Sequence, residues 1–95
     1  MNMEAIKNNV LRRRILEALK PEYPGAVDLM ALRFALDGAG VQITARALQA
    51  QIAYLAEGGY VTHENPAQDV EYSALTKHGW DVLDALTNDK GIATA

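Results

Sequence analysis

The chain contains no cysteine, which excludes disulfides, thiolate nucleophiles and thiolate-based zinc sites. Serine is nearly as scarce: Ser73 stands alone, in no nucleophile motif. Phenylalanine and tryptophan occur once each, as Phe34 and Trp80. No apolar run approaches the ~20 residues needed to span a bilayer, so no membrane partner is expected. The first residues carry charges and no apolar stretch of the kind that marks a secretory signal, so the expected compartment is the cytoplasm. The two histidines, His63 and His78, lack metal-ligand partners at helical spacing, and Gly38-Ala39-Gly40 lacks the lysine and spacing of a phosphate-binding loop. Asp81 and Asp84 read as a solvated face. These absences leave no catalytic constellation, metal site or cofactor site to expect.

What is present suits one compact domain over residues 1–95, with a core spanning about 4–88 and a frayed tail at 89–95. The formal charge of −3 is unevenly spread. Residues 1–46 hold seven basic and five acidic side chains, whereas residues 47–95 hold two and seven. Overall acidity argues against tight non-specific nucleic-acid binding, which feeds on neutralised phosphates. A basic face near the N-terminus remains available.

The periodicity organises the chain around residues 44–58. Leu48, Ile52 and Leu55 recur at i, i+4 and i+7, joined by Ala45, which makes one apolar helical stripe. Thr44 suits the N-cap, and Gly58-Gly59 ends the helix. Arg46, Ala47, Gln49, Ala50, Ala53, Tyr54 and Glu57 fall away from the stripe.

Before it, Met3–Lys20 reads as a helix that buries Leu11, Ile15, Ala18 and Leu19, widened by Ile6, Val10 and Leu16, and that stops before Pro21. Arg12, Arg13 and Arg14 are fanned out by the 100° step. They are read either as a solvated, salt-bridged face or as phosphate contacts. A second helix is expected over Val27–Asp37, with Asp28 at its start and Leu29, Leu32 and Leu36 buried. Gly38–Gly40 ends it, and Val41–Ile43 is an extended connector. Two helices joined by a short glycine-containing turn make a helix-turn-helix unit.

After Gly59 the period changes. Tyr60–His63 and Val70–Leu75 have strand composition, and the polar, proline-containing run Glu64–Asp69 suits a hairpin tip. Thr76 can cap a last helix, Lys77 to about Asn88, that buries Trp80, Leu83 and Leu86. The fold class is mainly α (α+β): three helices, a two-stranded wing and a C-terminal helix.

Three features are similar to the winged helix-turn-helix family, and in particular resemble the small MarR-like and PadR-like bacterial or phage regulators. They are the Thr44-capped helix with Leu48 and Leu55, Gly59-Tyr60-Val61 opening the wing, and Leu75-Thr76-Lys77-His78-Gly79 closing it. The resemblance spans roughly Val10 to Leu86. It implies a small DNA-binding transcriptional regulator, acting as a dimer, with helix 44–58 in the major groove of double-stranded DNA. It would place Thr44, Arg46, Ala47, Gln49, Ala50 and Tyr54 against bases or phosphates. Arg12, Arg13 and Arg14 would serve as further phosphate contacts, and the wing residues His63, Asn65 and Gln68 would lie near the minor groove.

Two observations favour a second reading, a protein-interaction winged helix or homo-oligomer. The wing offers Glu64 and Asp69 where a minor-groove wing offers cations, and Ala47, Ala50 and Ala53 form a small flat face suited to another helix.

Overall fold

The computed structural model describes residues 3–88, so the expected frayed tail at 89–95 lies outside the described residues. Helix α1 spans Met3–Leu19, α2 Leu29–Gly38, α3 Ala45–Glu57 and α4 Lys77–Asn88. Strands β1 (Val27–Asp28), β2 (Val61–Ala67) and β3 (Val70–Leu75) form an antiparallel sheet in the order β1-β3-β2. The expected two-stranded wing is therefore the larger part of a three-stranded sheet. Val27-Asp28, expected as the first turn of the second helix, instead pairs with Ser73 and Tyr72 of β3. Helix α2 starts two residues later, at Leu29, with Asp28 as its N-cap, accepting from the Ala31 amide at 2.7 Å.

Proline shapes the ends of two elements. Pro21 converts the end of the first helix into a short 3-10 turn, Lys20–Glu22, so α1 stops at Leu19, the earlier of the two expected ends, Leu19 or Lys20. Pro66 does not end β2. That strand lies on the sheet edge, where a missing amide hydrogen is tolerated, and the irregularity it brings is a register shift between Glu64 and Ala67. The pairing resumes at Ala67–Val70, so the tip is Gln68-Asp69 and not the whole run 64–69. Asp69 takes a left-handed conformation, φ 65°, which aspartate tolerates better than most side chains.

Helices α2 and α3 end alike. The amides of Gly40 and Val41 bond back to the carbonyls of Asp37 and Leu36, and those of Gly59 and Tyr60 to Ala56 and Leu55. Each is a Schellman closure with glycine in the left-handed position, φ 85° at Gly40 and 78° at Gly59. Between the two helices, the Arg33 side chain donates to the Ile43 carbonyl at 2.7 Å, which ties the connector to α2.

One core holds the elements together. Ile15, Leu16 and Leu19 of α1 meet Leu32 and Leu36 of α2, Leu48, Ile52 and Leu55 of α3, and Val61, Leu75 and Leu83. Burying each such leucine or isoleucine contributes about 1.5–3 kcal/mol. Trp80 packs at the rim of this core, against Tyr23 at 4.9 Å and under the Lys20 ammonium. Val10, expected to widen the buried face of α1, is exposed. Ile6, expected beside it, has no described side chain.

Candidate nucleic-acid interface

Thr44 starts α3 as expected. Its Oγ1 accepts from the Ala47 amide at 3.1 Å, in extended backbone geometry. The stripe Leu48, Ile52, Leu55 is fully buried, which fixes the rotation of α3 and turns Arg46, Ala47, Gln49, Ala50, Ala53, Tyr54 and Glu57 outward. Arg46 is the sole cation on this helix. Beside its start, the connector and α2 enclose an open hollow of about 530 Å³ rimmed by Met30, Phe34, Val41 and Thr44. Phe34 is 80% exposed there, the most exposed of the large apolar side chains described.

The wing meets α3 through a residue that no sequence motif marks. Glu71 of β3 accepts from the Gln49 side-chain amide through one carboxylate oxygen and from His63 of β2 through the other, at 3.0 Å. Its side chain is only 14% exposed. Strand alternation places Glu71 in phase with buried Ser73 and Leu75, so an acid stands at an inward position and needs partners. That phase is the one sequence signal that could have found it. The Gln49 bond, then the His63 bond, hold the Glu71 carboxyl below its ordinary range, against a smaller opposing effect of burial.

The remaining expected positions fall into two separate places. Asn65 and Gln68 lie near the wing tip, where the Asn65 amide nitrogen, in the orientation its neighbours require, reaches the carbonyls of Val70 and Ala67. Arg12, Arg13 and Arg14 lie instead along a groove between α1, the last turns of α3 and α4, about 610 Å³ in volume, floored by Val10, Leu16, Tyr54, Val82 and Leu86. The Arg12 guanidinium sits 3.6 Å over the Tyr54 ring and donates to Gln51 at 2.8 Å. Arg13 and Arg14 share the Glu17 carboxylate at 3.3 and 3.8 Å. The structure thus joins Gln49 to His63, and Tyr54 to Arg12, while separating the arginine run from Arg46 and Thr44 along α3.

The wing closes on α4 through Thr76. Its hydroxyl reaches the carbonyls of Gly59 (2.6 Å) and Tyr60 (3.0 Å) and accepts from the Gly79 amide (3.0 Å). His78 stacks on Tyr60 with ring centroids 4.9 Å apart. Through these contacts the Leu75-Thr76…Gly79 pattern fastens the end of α3 to the start of α4.

The order of elements, the stripe-oriented α3 and the hairpin beside it decide the architecture. The fold is a winged helix. The structure is similar to a winged-helix DNA-binding protein from STIV, with a TM-score of 0.67 at 22% identity over 81% of this chain and 83% of that one. It is similar to a PadR family transcriptional regulator from Eggerthella lenta, with a TM-score of 0.66 at 20% identity over 96% and 87%. H. salinarum RosR gives a TM-score of 0.64 at 17% identity over 87% and 81%. No family model matches the sequence, and no curated protein matches it. Among the described residues, no helix is long and apolar enough to cross a membrane, and no three acidic or histidine side chains cluster to hold a metal ion.

Proposed function

We propose that this winged helix is a small DNA-binding transcriptional regulator, with α3 in the major groove and the wing against the adjacent backbone or minor groove. The observation that carries the reading is the rotation of α3: burial of Leu48, Ile52 and Leu55 turns Arg46, Gln49 and Ala50 outward on one uninterrupted face. That face has the side chains that read base edges: arginine for guanine, glutamine for adenine and alanine for a thymine methyl. Thr44 and the free amides of the first turn suit a phosphate. The winged-helix DNA-binding protein from STIV and the PadR family regulator support the reading by their shared architecture.

The protein works as one domain without catalysis, in the cytoplasm and as a dimer. The open groove floored by exposed Val10 and Tyr54 and half-buried Leu86 supports the dimer, because apolar surface left open to solvent suits a second chain. Arg12, Arg13 and Arg14 lie on that groove, so they reach phosphate only beyond the α3 face, as flanking contacts.

A fluorescence-anisotropy titration with random duplex DNA at about 50 and 200 mM salt tests the proposal, because phosphate-driven affinity falls steeply over that range. Binding at low salt that collapses at high salt supports it. Absence of binding at tens of micromolar, or binding indifferent to salt, contradicts it and favours a protein partner on the Ala47–Ala50–Ala53 face.

A further inference from the structure

Glu71 occupies an unusual place for an acid. It lies between the outward face of α3 and the wing, where a phosphate-binding surface gains nothing from negative charge. Both of its carboxylate oxygens are engaged, one by Gln49 of α3 and one by His63 of β2, and the side chain is largely covered. The His63–Glu71 pair is a diagonal cross-strand contact, since His63 stands opposite Ser73 in the register. The three side chains therefore tie the outward face of α3 to both wing strands.

This arrangement constrains Gln49 chemically. A glutamine amide has a donor end and an acceptor end of nearly equal shape, and alone on a helix surface it turns either way. An ionised carboxylate only accepts, so the Gln49 nitrogen must face Glu71. The same bonds favour the ionised carboxylate, by drawing its titration downward. His63 in turn donates from Nε2 to the second oxygen, which stops the carboxylate from rotating away. Where Glu71 takes the N–H anti to the carbonyl oxygen, Gln49 keeps that oxygen and its syn N–H for the base, side by side and in fixed order. An acceptor beside a donor matches the N6 and N7 edge of adenine in the major groove.

We propose that Glu71 is a specificity-determining positioning residue, which orients the Gln49 amide so that α3 reads adenine at one base position. The inference rests on the DNA-binding reading above. Glu71 does not touch the base. It acts through Gln49, and His63 acts through Glu71.

The test is selection from a randomised duplex library with the wild type, followed by anisotropy competition between the enriched duplex and duplexes carrying single A·T to G·C changes. Glu71→Gln and Gln49→Ala, singly and together, are compared with Glu22→Gln, which removes the same charge at an exposed site in the turn after α1. At one position the wild type should prefer adenine by on the order of tenfold, within the range a good bidentate contact provides. Glu71→Gln should abolish that preference, because glutamine both donates and accepts and no longer dictates the amide orientation. Gln49→Ala should abolish it at the same position, and the double variant should lose nothing more. Affinity of Glu71→Gln for random duplex should equal or exceed that of Glu22→Gln, a result that a merely structural role for Glu71 does not produce.

A Glu71→Gln protein that retains the preference Gln49→Ala loses overturns the proposal. So does a wild type that binds DNA with no adenine preference, which leaves the proposed function standing. A wild type that binds no DNA overturns both.

Discussion

Gly79 of α4 packs directly against the Tyr60 carbonyl, so closely that a Cβ at position 79 would overlap that oxygen and stand 2.8 Å from a Leu75 methyl. Tyr60 begins the wing and Gly79 lies in the first turn of α4, so this contact joins the two ends of the hairpin. The clash is with backbone, which cannot swing aside. Gly79→Ala should therefore destabilise the fold by about 1–3 kcal/mol or more, the usual cost of overpacking. Gly38 has open space where its Cβ would stand and lies within α2, so Gly38→Ala should be neutral or stabilise by roughly 0.5–1 kcal/mol. Chemical denaturation of the two variants beside the wild type checks both signs.

The caps of α2 and α3 should have separable and similar weights. Asp28→Ala and Thr44→Ala each remove the side-chain acceptor for an orphan first-turn amide, at Ala31 and Ala47 respectively. Each should cost about 1 kcal/mol, read from the urea midpoint. Thr44→Ser, which keeps the oxygen, should cost only a small fraction of that.

These two caps show why most of the fold is legible in the sequence. Helices α2 and α3 begin at side chains that announce a start, and they end at Gly40 and Gly59, whose left-handed backbone is local chemistry. Strand β1 is hidden because its two residues precede a good helix, and only Ser73 and Tyr72, more than forty positions away, make them a strand. Pro66 suggests a loop, yet β2 runs through it because the edge of the sheet asks nothing of its missing amide hydrogen. The candidate interface divides in the same way. The outward positions of α3 follow from helical period alone, but the Gln49–Glu71–His63 contact depends on a register between strands and helix that no local pattern encodes. Arg12 likewise reads as a surface cation, whereas folding seats it on Tyr54, forty-two positions on.

The Arg12–Tyr54 pair should be measurable as a coupling. A double-mutant cycle with Arg12→Ala and Tyr54→Ala should return about 0.5–1 kcal/mol of favourable interaction, as for a cation over a partly exposed aromatic ring. Arg13→Ala with Glu17→Ala, an i,i+4 pair at the surface, should return about 0.3–0.5 kcal/mol and weaken in salt. Thermal denaturation at low and high salt distinguishes the two pairs.

Glu71 predicts a pH dependence of defined sign. Its folded-state carboxyl titrates below its unfolded-state value, chiefly because Gln49 and then His63 donate to it. The stabilisation is therefore present above the ordinary carboxylate range and is lost as pH falls through the depressed folded-state value. The stability difference between the wild type and Glu71→Gln should be larger at neutral pH than at acid pH. In Gln49→Ala the Glu71 carboxyl should titrate closer to its ordinary value, which carboxyl carbon chemical shifts can follow.

If the outward face of α3 touches DNA, amide chemical-shift mapping against a random duplex will show it residue by residue. Titration at about 50 mM salt, where phosphate contacts are strong, should shift the amides of Thr44, Arg46, Ala47, Gln49 and Ala50 together with those of β2 and β3 in the wing. Arg46→Ala should weaken the binding and remove the α3 shifts. Shifts confined to the groove of Val10, Tyr54 and Leu86, with α3 residues 44–50 unmoved, would put DNA on another face and overturn the role assigned to α3.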